Sequence, residues 1–155
     1  MNNIYRLIIF LPLLMLGCAR NVIDENKVIQ KINSLDMNIY SNKGERIYSI
    51  SSPYSSYDNN KQKFQLEKTT INIFNGEETK YIITSNQSFL SQNNQLLELK
   101  GNVKLKTIEQ NKGELFADNF MWNIDDNNFL LVGNIKYETE KVILYSGKAK
   151  LGSDN

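Results

Sequence analysis

Apolar and polar residues alternate with a period of two through most of the chain after residue 37. Successive side chains of a strand point to opposite faces of a sheet, so this alternation predicts half-buried β-strands. Clusters rich in Ser, Asn, Asp and Gly interrupt it and predict turns at 41–45, 51–61, 75–78, 85–88, 91–95, 109–114 and 125–128. The predicted strands are 37–40, 46–51, 62–74, 79–85, 95–107, 114–124, 128–138 and 141–151. No helical period occurs after residue 37, and the pattern predicts an all-β antiparallel domain.

Three of these predicted strands share a pattern centred on glycine. The segments are LELKGNVKL (97–105), FLLVGNIKY (129–137) and ILYSGKAKL (143–151). Residues two and four positions from each glycine are apolar, so a period of two places them on one face together with the glycine. A glycine inside a strand marks a bend or bulge, which would curve the sheet, or a place where a ligand approaches the backbone. The sequence leaves both interpretations open.

The segment 19–35 has a different pattern. Val28, Ile32 and Leu35 recur at helical spacing within polar surroundings. This spacing fits a short amphipathic helix and fits equally well a loose tether.

The N-terminal residues predict export. Arg6 precedes an apolar run, Leu7 to Leu16, which is too short to span a membrane and ends at Gly17 and Cys18. The order of charge, short apolar run and small residue predicts a signal peptide over 1–17. The run Met15-Leu16-Gly17-Cys18 resembles the lipobox of bacterial lipoproteins, which implies that the Cys18 thiol is acylated; an ordinary signal peptide or an uncleaved anchor is the alternative.

These features divide the chain into three parts. We expect a lipoprotein signal peptide over 1–17, a lipid-anchored tether over 18–36 and one β-domain over 37–155. Cys18 is the only cysteine, so no disulfide can stabilise the domain.

Charge and chemistry narrow the possible functions. All 17 acidic residues lie after Cys18, and so do all of the 18 basic residues except Arg6, so the predicted mature part is neutral and nothing directs it to nucleic acid. Histidine is absent, and no phosphate loop, nucleophile motif or metal-ligand cluster occurs. Asp118, Asp125 and Asp126 fall at or beside predicted turns, where Asp is common for backbone reasons. The sequence therefore predicts a protein that is not an enzyme and needs no cofactor or metal.

Several strand motifs, taken in order, resemble the LptC family of the lipopolysaccharide export machinery. They are Ile47-Tyr48, Phe64 to Leu66, Thr70 to Phe74, Tyr81 to Ile83, Leu97 to Leu105 and Leu115 to Asn119. The likeness extends over residues 37–151. It implies a single open, twisted β-jellyroll on the periplasmic face of the inner membrane, although this chain is predicted to carry a lipid anchor where familiar members have a membrane-spanning helix. Attachment to the outer membrane is an alternative that the sequence leaves open.

The resemblance also implies partners and a site. The domain would accept lipopolysaccharide from an inner-membrane ABC exporter and pass it to a periplasmic bridge of similar jellyrolls. We expect the lipid A acyl chains to lie in a groove formed by apolar residues of the inner face. These are Phe64, Leu66, Ile71, Ile73, Ile83, Leu97, Leu99, Val103, Leu105, Phe120, Trp122, Leu131, Ile135 and Tyr145. The same residues would equally suit a closed core.

Two other function classes fit the sequence. One is an outer-membrane lipoprotein that binds other lipids or lipoproteins, and the other is a structural envelope protein with a closed core.

Overall fold

Ten antiparallel strands form the part of the chain that the structure, a computed structural model, describes: residues 29–93, 95–108, 113–124 and 128–151. No helix occurs within these ranges. The strands are β1 (Ile29–Ile32), β2 (Leu35–Tyr40), β3 (Arg46–Ser52), β4 (Tyr54–Asp58), β5 (Lys63–Asn75), β6 (Glu78–Ser91), β7 (Leu96–Thr107), β8 (Glu114–Asn123), β9 (Asn128–Glu138) and β10 (Ile143–Leu151). The predicted all-β antiparallel fold is confirmed.

All ten strands belong to one sheet, which branches at β5. The main path runs β1-β4-β5-β6-β7-β8-β9-β10, and β2 joins it through β3. Along one edge, β5 pairs first with β4 and then with β3. Pro53 lies at this junction and cannot donate a ladder hydrogen bond. The Ser52 hydroxyl fills the gap: it donates to the Glu67 carbonyl (2.7 Å) and accepts from the Glu67 N–H (3.2 Å).

The structure differs from the predicted strands in three places. β1 lies in the segment predicted to be a short helix or a loose tether, and both predictions are wrong for residues 29–32, which pair with β4. β4 lies inside the predicted turn 51–61. β6 continues through the predicted turn 85–88, because the polar residues there form a bulge in which the buried hydroxyls of Ser85 and Ser88 hydrogen-bond each other at 2.8 Å.

The irregular backbone positions of neighbouring strands lie side by side and form one line across the sheet, here called the bend line. The register shifts where β6, β7, β8, β9 and β10 cross it, and Lys68 of β5 has a φ of 52° at the same level. In each strand the two buried residues that flank the line are three or four positions apart, whereas a regular strand would place them two apart. The buried pairs are 66 and 69, 85 and 88, 99 and 103, 117 and 120, and 131 and 135. Each strand thus changes direction while its apolar face stays inward.

Two Gly-Asn pairs make the bend line possible. Gly101-Asn102 of β7 and Gly133-Asn134 of β9 all have positive φ, between 41° and 81°. A polar side chain of the preceding strand lies over each glycine: Asn86 over Gly101 and Asp118 over Gly133. The Asn134 amide donates to Asp118 Oδ2 at 2.8 Å. The bulge interpretation is therefore confirmed for these two glycines, whereas Gly147 in the third repeat does not have a positive φ.

The bend brings distant strands into contact. Tyr48 of β3 packs against Trp122 of β8 with ring centroids 4.8 Å apart, although β5, β6 and β7 separate these strands in the sheet. The sheet therefore folds over its own apolar face and encloses the core between its two halves.

We predict that Gly133→Ala destabilises the fold by about 1–3 kcal/mol, because the residue would hold a positive φ at the cost of strain. The added Cβ would also lie 2.6 Å from Asp118 Oδ2. Gly147→Ala is the matched control, since nothing lies within 4 Å of its added Cβ, and it should change stability by less than about 0.5 kcal/mol. Urea unfolding followed by circular dichroism measures both, and equal effects would contradict the role of the bend line.

Candidate functional site

The inner face of the folded sheet carries most of the side chains predicted to form the groove. Leu66, Ile71, Ile83, Leu97, Leu99, Val103, Phe120, Trp122, Leu131 and Ile135 are buried, and Phe64, Ile73 and Leu105 pack against them partly buried. They come from β5, β6, β7, β8 and β9. Their contact with a lipid stays a prediction.

The centre of this interior is filled by protein. Leu66, Ile71 and Ile83 have no exposed surface, and Leu99 and Phe120 are almost as completely buried. Burying one such side chain contributes about 1.5–3 kcal/mol, so these residues hold the domain together. An acyl chain could enter the centre only if the two halves of the sheet moved apart.

The interior opens to the surface at one end, through a concavity of about 340 Å³ that we call the mouth. β2 and β3 form one side of it, and the opposite side comes from the end of β6 and the residues that follow β6 and β8. The lining residues are Met37, Ile39, Tyr48, Ile50, Leu90, Ser91, Gln92, Gln95 and Ile124. The walls are mainly apolar, and Gln92 and Gln95 add exposed polar groups. None of these residues was in the predicted set, although the alternation in Leu35–Tyr40 and Arg46–Ser52 could have identified the first four.

Aromatic rings form the layer below the mouth. The ring of Trp122 contacts Tyr48 edge to face, with an interplanar angle of 61°, and contacts Phe129 with centroids 5.4 Å apart. Phe129 also contacts Phe120 at 5.6 Å. The aromatic layer thus runs from the mouth into the packed centre.

A second concavity, of about 470 Å³, lies beside β1 and β4. Lys31, Gln65 and Glu67 contribute to its lining, and all three are on the exposed face of the sheet. Although it is larger than the mouth, it lies at the β1 edge of the sheet and away from the strand ends that form the mouth, so it is not part of the candidate site.

The prediction that Tyr145 lies on the inner face is wrong. The register of β10 shifts between Ser146 and Lys148, so Tyr145 lies opposite Lys136 on the outer face and is 76% exposed. Ser146, which lies opposite the buried Ile135, takes the inner position. The third glycine repeat therefore does not place its side chains on the same faces of the sheet as the first two repeats do.

β10 forms an edge of the sheet with exposed apolar side chains. It pairs with β9 alone among the described strands. Val142 and the first three residues of the strand, Ile143, Leu144 and Tyr145, are all exposed. An edge strand presents unpaired N–H and C=O groups, and apolar side chains beside them favour pairing with another strand.

Ion pairs balance the charges of the outer face. A hydrogen bond from Lys104 (Nζ to Oε1, 2.8 Å) lowers the pKa of Glu114, and a hydrogen bond to Glu138 raises the pKa of Lys136. The contribution of the Lys104–Glu114 pair to stability is lost only as the pH falls through the lowered pKa of Glu114. The contribution of the Lys136–Glu138 pair is lost only as the pH rises through the raised pKa of Lys136. Near neutral pH both pairs are therefore intact.

Groups suited to catalysis are not brought together in the described part of the chain. Asp118 belongs to the bend line, and Asp125 and Asp126 lie outside the described residues. No cluster of potential metal ligands occurs among the residues that could be searched.

The predicted anchor precedes the described part of the chain. The signal peptide 1–17, Cys18 and the tether up to residue 28 lie outside the described residues. Where the structure does describe the chain, it contains no helix of the length and apolarity that a membrane span needs.

Comparison with known proteins places the chain in a family. A family model described as "Lipopolysaccharide-assembly, LptC-related" matches residues 15–138. That range includes β1 to β9 and Cys18, and it ends before β10. No curated protein matches the chain significantly.

We predict that Phe120→Ala lowers the free energy of unfolding by about 3–5 kcal/mol, because it leaves a cavity in the packed centre. Tyr145→Ala should change it by less than about 0.5 kcal/mol, because the side chain is mostly exposed. Urea unfolding of the two variants measures this difference, and a comparable loss in Tyr145→Ala would contradict the outward position of that residue.

Proposed function

The chain belongs to the LptC-related family of lipopolysaccharide-assembly proteins, and from this premise we propose that it carries lipopolysaccharide across the periplasm without chemical change. In this proposal the domain accepts the lipid from an inner-membrane ABC exporter and passes it to a bridge of similar jellyrolls. The observation that supports it best is an apolar interior that reaches the surface through the mouth.

The physical need for such an interior is large. Each methylene exposed to water costs about 0.8 kcal/mol, so one free dodecanoyl chain costs on the order of 10 kcal/mol. A carrier must therefore offer the chain an apolar surface throughout its transfer. The inner face of the sheet, reached through Met37, Ile39 and Ile50 at the mouth, offers this surface.

Loading requires the packed centre to open, and the β2–β3 hairpin is the element best suited to move. Among the described strands β2 pairs only with β3, and β3 joins the rest of the sheet through four residue pairs with β5, from Tyr48–Ile73 to Ser51–Thr70. Its inner side forms one wall of the mouth. In the proposal an acyl chain takes the place of hairpin side chains against the remaining inner face, so lipid contacts replace protein contacts.

Handover uses the edge of β10. A strand of the next jellyroll that paired there would satisfy the free backbone groups and cover the exposed apolar side chains of Val142 and Leu144. The inner face also reaches this edge, since Ala149 lies opposite the buried Leu131. Pairing would thus make one continuous apolar face across two domains.

The anchor holds the domain at the membrane where it is loaded. We propose that Cys18 carries the lipid on the periplasmic face of the inner membrane, and that residues 18–28 link it to β1. A thioether-linked diacylglycerol with a further acyl chain attaches a protein stably to a bilayer.

Photo-crosslinking in living cells tests the transport proposal. A photoreactive phenylalanine at Met37 or Ile39, whose side chains face the mouth, should give an adduct with lipopolysaccharide. The same group at Asn38 is the matched control, because the side chains of a strand alternate and Asn38 is exposed on the other face. It should give no adduct.

The rival functions predict other results. A structural envelope protein, which the packed centre would also suit, would give no lipid adduct from any of the three positions. An outer-membrane lipoprotein that binds other lipids would give adducts that contain no lipopolysaccharide. Either result would exclude the transport proposal.

The anchor has a separate test. Cys18→Ser should abolish acylation and release the domain from the membrane, because serine provides no thiol for the lipid. Ala19→Ser, the neighbouring control, should leave both unchanged. Labelling with radioactive palmitate and membrane fractionation measure the two effects, and a Cys18→Ser protein that is still processed and attached would show that the lipobox interpretation is wrong.

A further inference from the structure

The indole N–H of Trp122 is a buried donor that has no hydrogen-bond acceptor among the described residues. The side chain is 3% exposed. A buried Trp N–H normally finds a partner, and an exception needs an explanation. The edge-to-face contact with Tyr48 is at best a weak substitute for a carbonyl acceptor. The described part of the protein thus buries a donor that it does not itself satisfy.

The ring that carries this donor lies next to a residue of the mouth. Tyr48 contacts Trp122 and lines the mouth, and Ile124 lines it two residues further along the chain from Trp122. The cross-strand neighbours of Trp122, Leu97 and Phe129, are apolar. A polar group that passed Tyr48 would therefore enter apolar surroundings beside the Trp122 ring.

The chemistry of an acyl chain indicates which group this would be. A chain that enters the mouth with its methyl end first leaves its carbonyl nearest the surface, and the exposed amides of Gln92 and Gln95 then face the polar part of the molecule. The carbonyl oxygen has lone pairs to accept a hydrogen bond and no proton to donate. It complements a lone N–H donor.

We propose that Trp122 Nε1 donates a hydrogen bond to the carbonyl oxygen of an ester- or amide-linked acyl chain once Tyr48 has moved aside, an inference that rests on the proposed function. The bond fixes the depth of the chain, because it holds the carbonyl one layer below the mouth. It also distinguishes acyl from alkyl chains: an alkyl chain fills the same space but leaves the donor unpaired, which is costly in a site from which water is excluded.

Two probes of similar chain length test the proposal. N-dodecanoylglucosamine has an amide carbonyl at the start of its chain, whereas dodecyl glucoside has only the glycosidic ether oxygen there, which is a weaker acceptor than an amide carbonyl. Titration calorimetry of the purified full chain should show that the acyl probe binds about fivefold to tenfold more tightly than the alkyl probe. In Trp122→Phe, which keeps an aromatic ring but removes the N–H, this ratio should fall to about one.

Phe129→Leu is the control variant. Phe129 contacts Trp122 but carries no donor, so its replacement should weaken the binding of both probes and keep the ratio between them. A ratio that fell equally in Phe129→Leu and Trp122→Phe would overturn the proposal, because the effect would then reflect packing alone.

A second measurement needs no variant. The chain has one tryptophan, so a proton–nitrogen correlation spectrum contains a single indole N–H resonance from folded protein. Saturation with the acyl probe should move this proton downfield, as a new hydrogen bond does, and the alkyl probe should not.

The outcomes separate this inference from the proposed function. If both probes bind with equal affinity and the indole resonance stays in place, the role of Trp122 is overturned and lipid carriage is not. If Trp122→Phe still binds the acyl probe more tightly than the alkyl probe, another donor bonds the carbonyl and the inference is again overturned. If neither probe binds, both the inference and acyl-chain carriage fail together.

Discussion

The structure depends on one constraint, that all strands of a sheet folded over itself must bend at the same level. A strand that bent elsewhere would lose its ladder hydrogen bonds with both neighbours. The chain meets this constraint by the bend line, where bulges and the Gly-Asn pairs at 101–102 and 133–134 shift the register strand by strand. Asp118 bonds Asn134 across the line and so joins one strand's bulge to the next. Burial of the apolar face follows from this alignment.

The bend also explains where the interior is accessible. Each long strand contributes to both halves of the sheet, and the residues next to the bend, such as Val103 and Ala117, are buried. The ends of the strands are covered only where another element reaches them. At the end of β6 this cover comes from β2 and β3, which are joined to the sheet by few pairs, and the mouth lies there.

The sequence predicted the strands well and the faces of the bent strands less well. Alternation identifies a strand but carries no information on an inserted residue, and one insertion exchanges the faces beyond it. For this reason the alternation predicts an inward Tyr145, although Ser146 occupies that position. Polar residues inside a bulge resemble a turn in composition, so Ser85 and Ser88 were predicted to end a strand that continues to Ser91. The mouth was missed because it joins residues from separate parts of the chain, and only tertiary packing brings Tyr48 beside Trp122.

On the proposed function, the packed centre has a purpose beyond stability. An acyl chain and the side chains of the β2–β3 hairpin compete for the same inner face, so the lipid gains contacts only as the protein loses them. The net affinity is then a small difference between two large burial terms, even though each term alone is on the order of 10 kcal/mol for one chain. A relay without chemistry requires this, because the lipid moves on to the next domain only if this domain does not bind it much more tightly than the next one does. In the proposed function, the filled interior is therefore the means by which binding stays reversible.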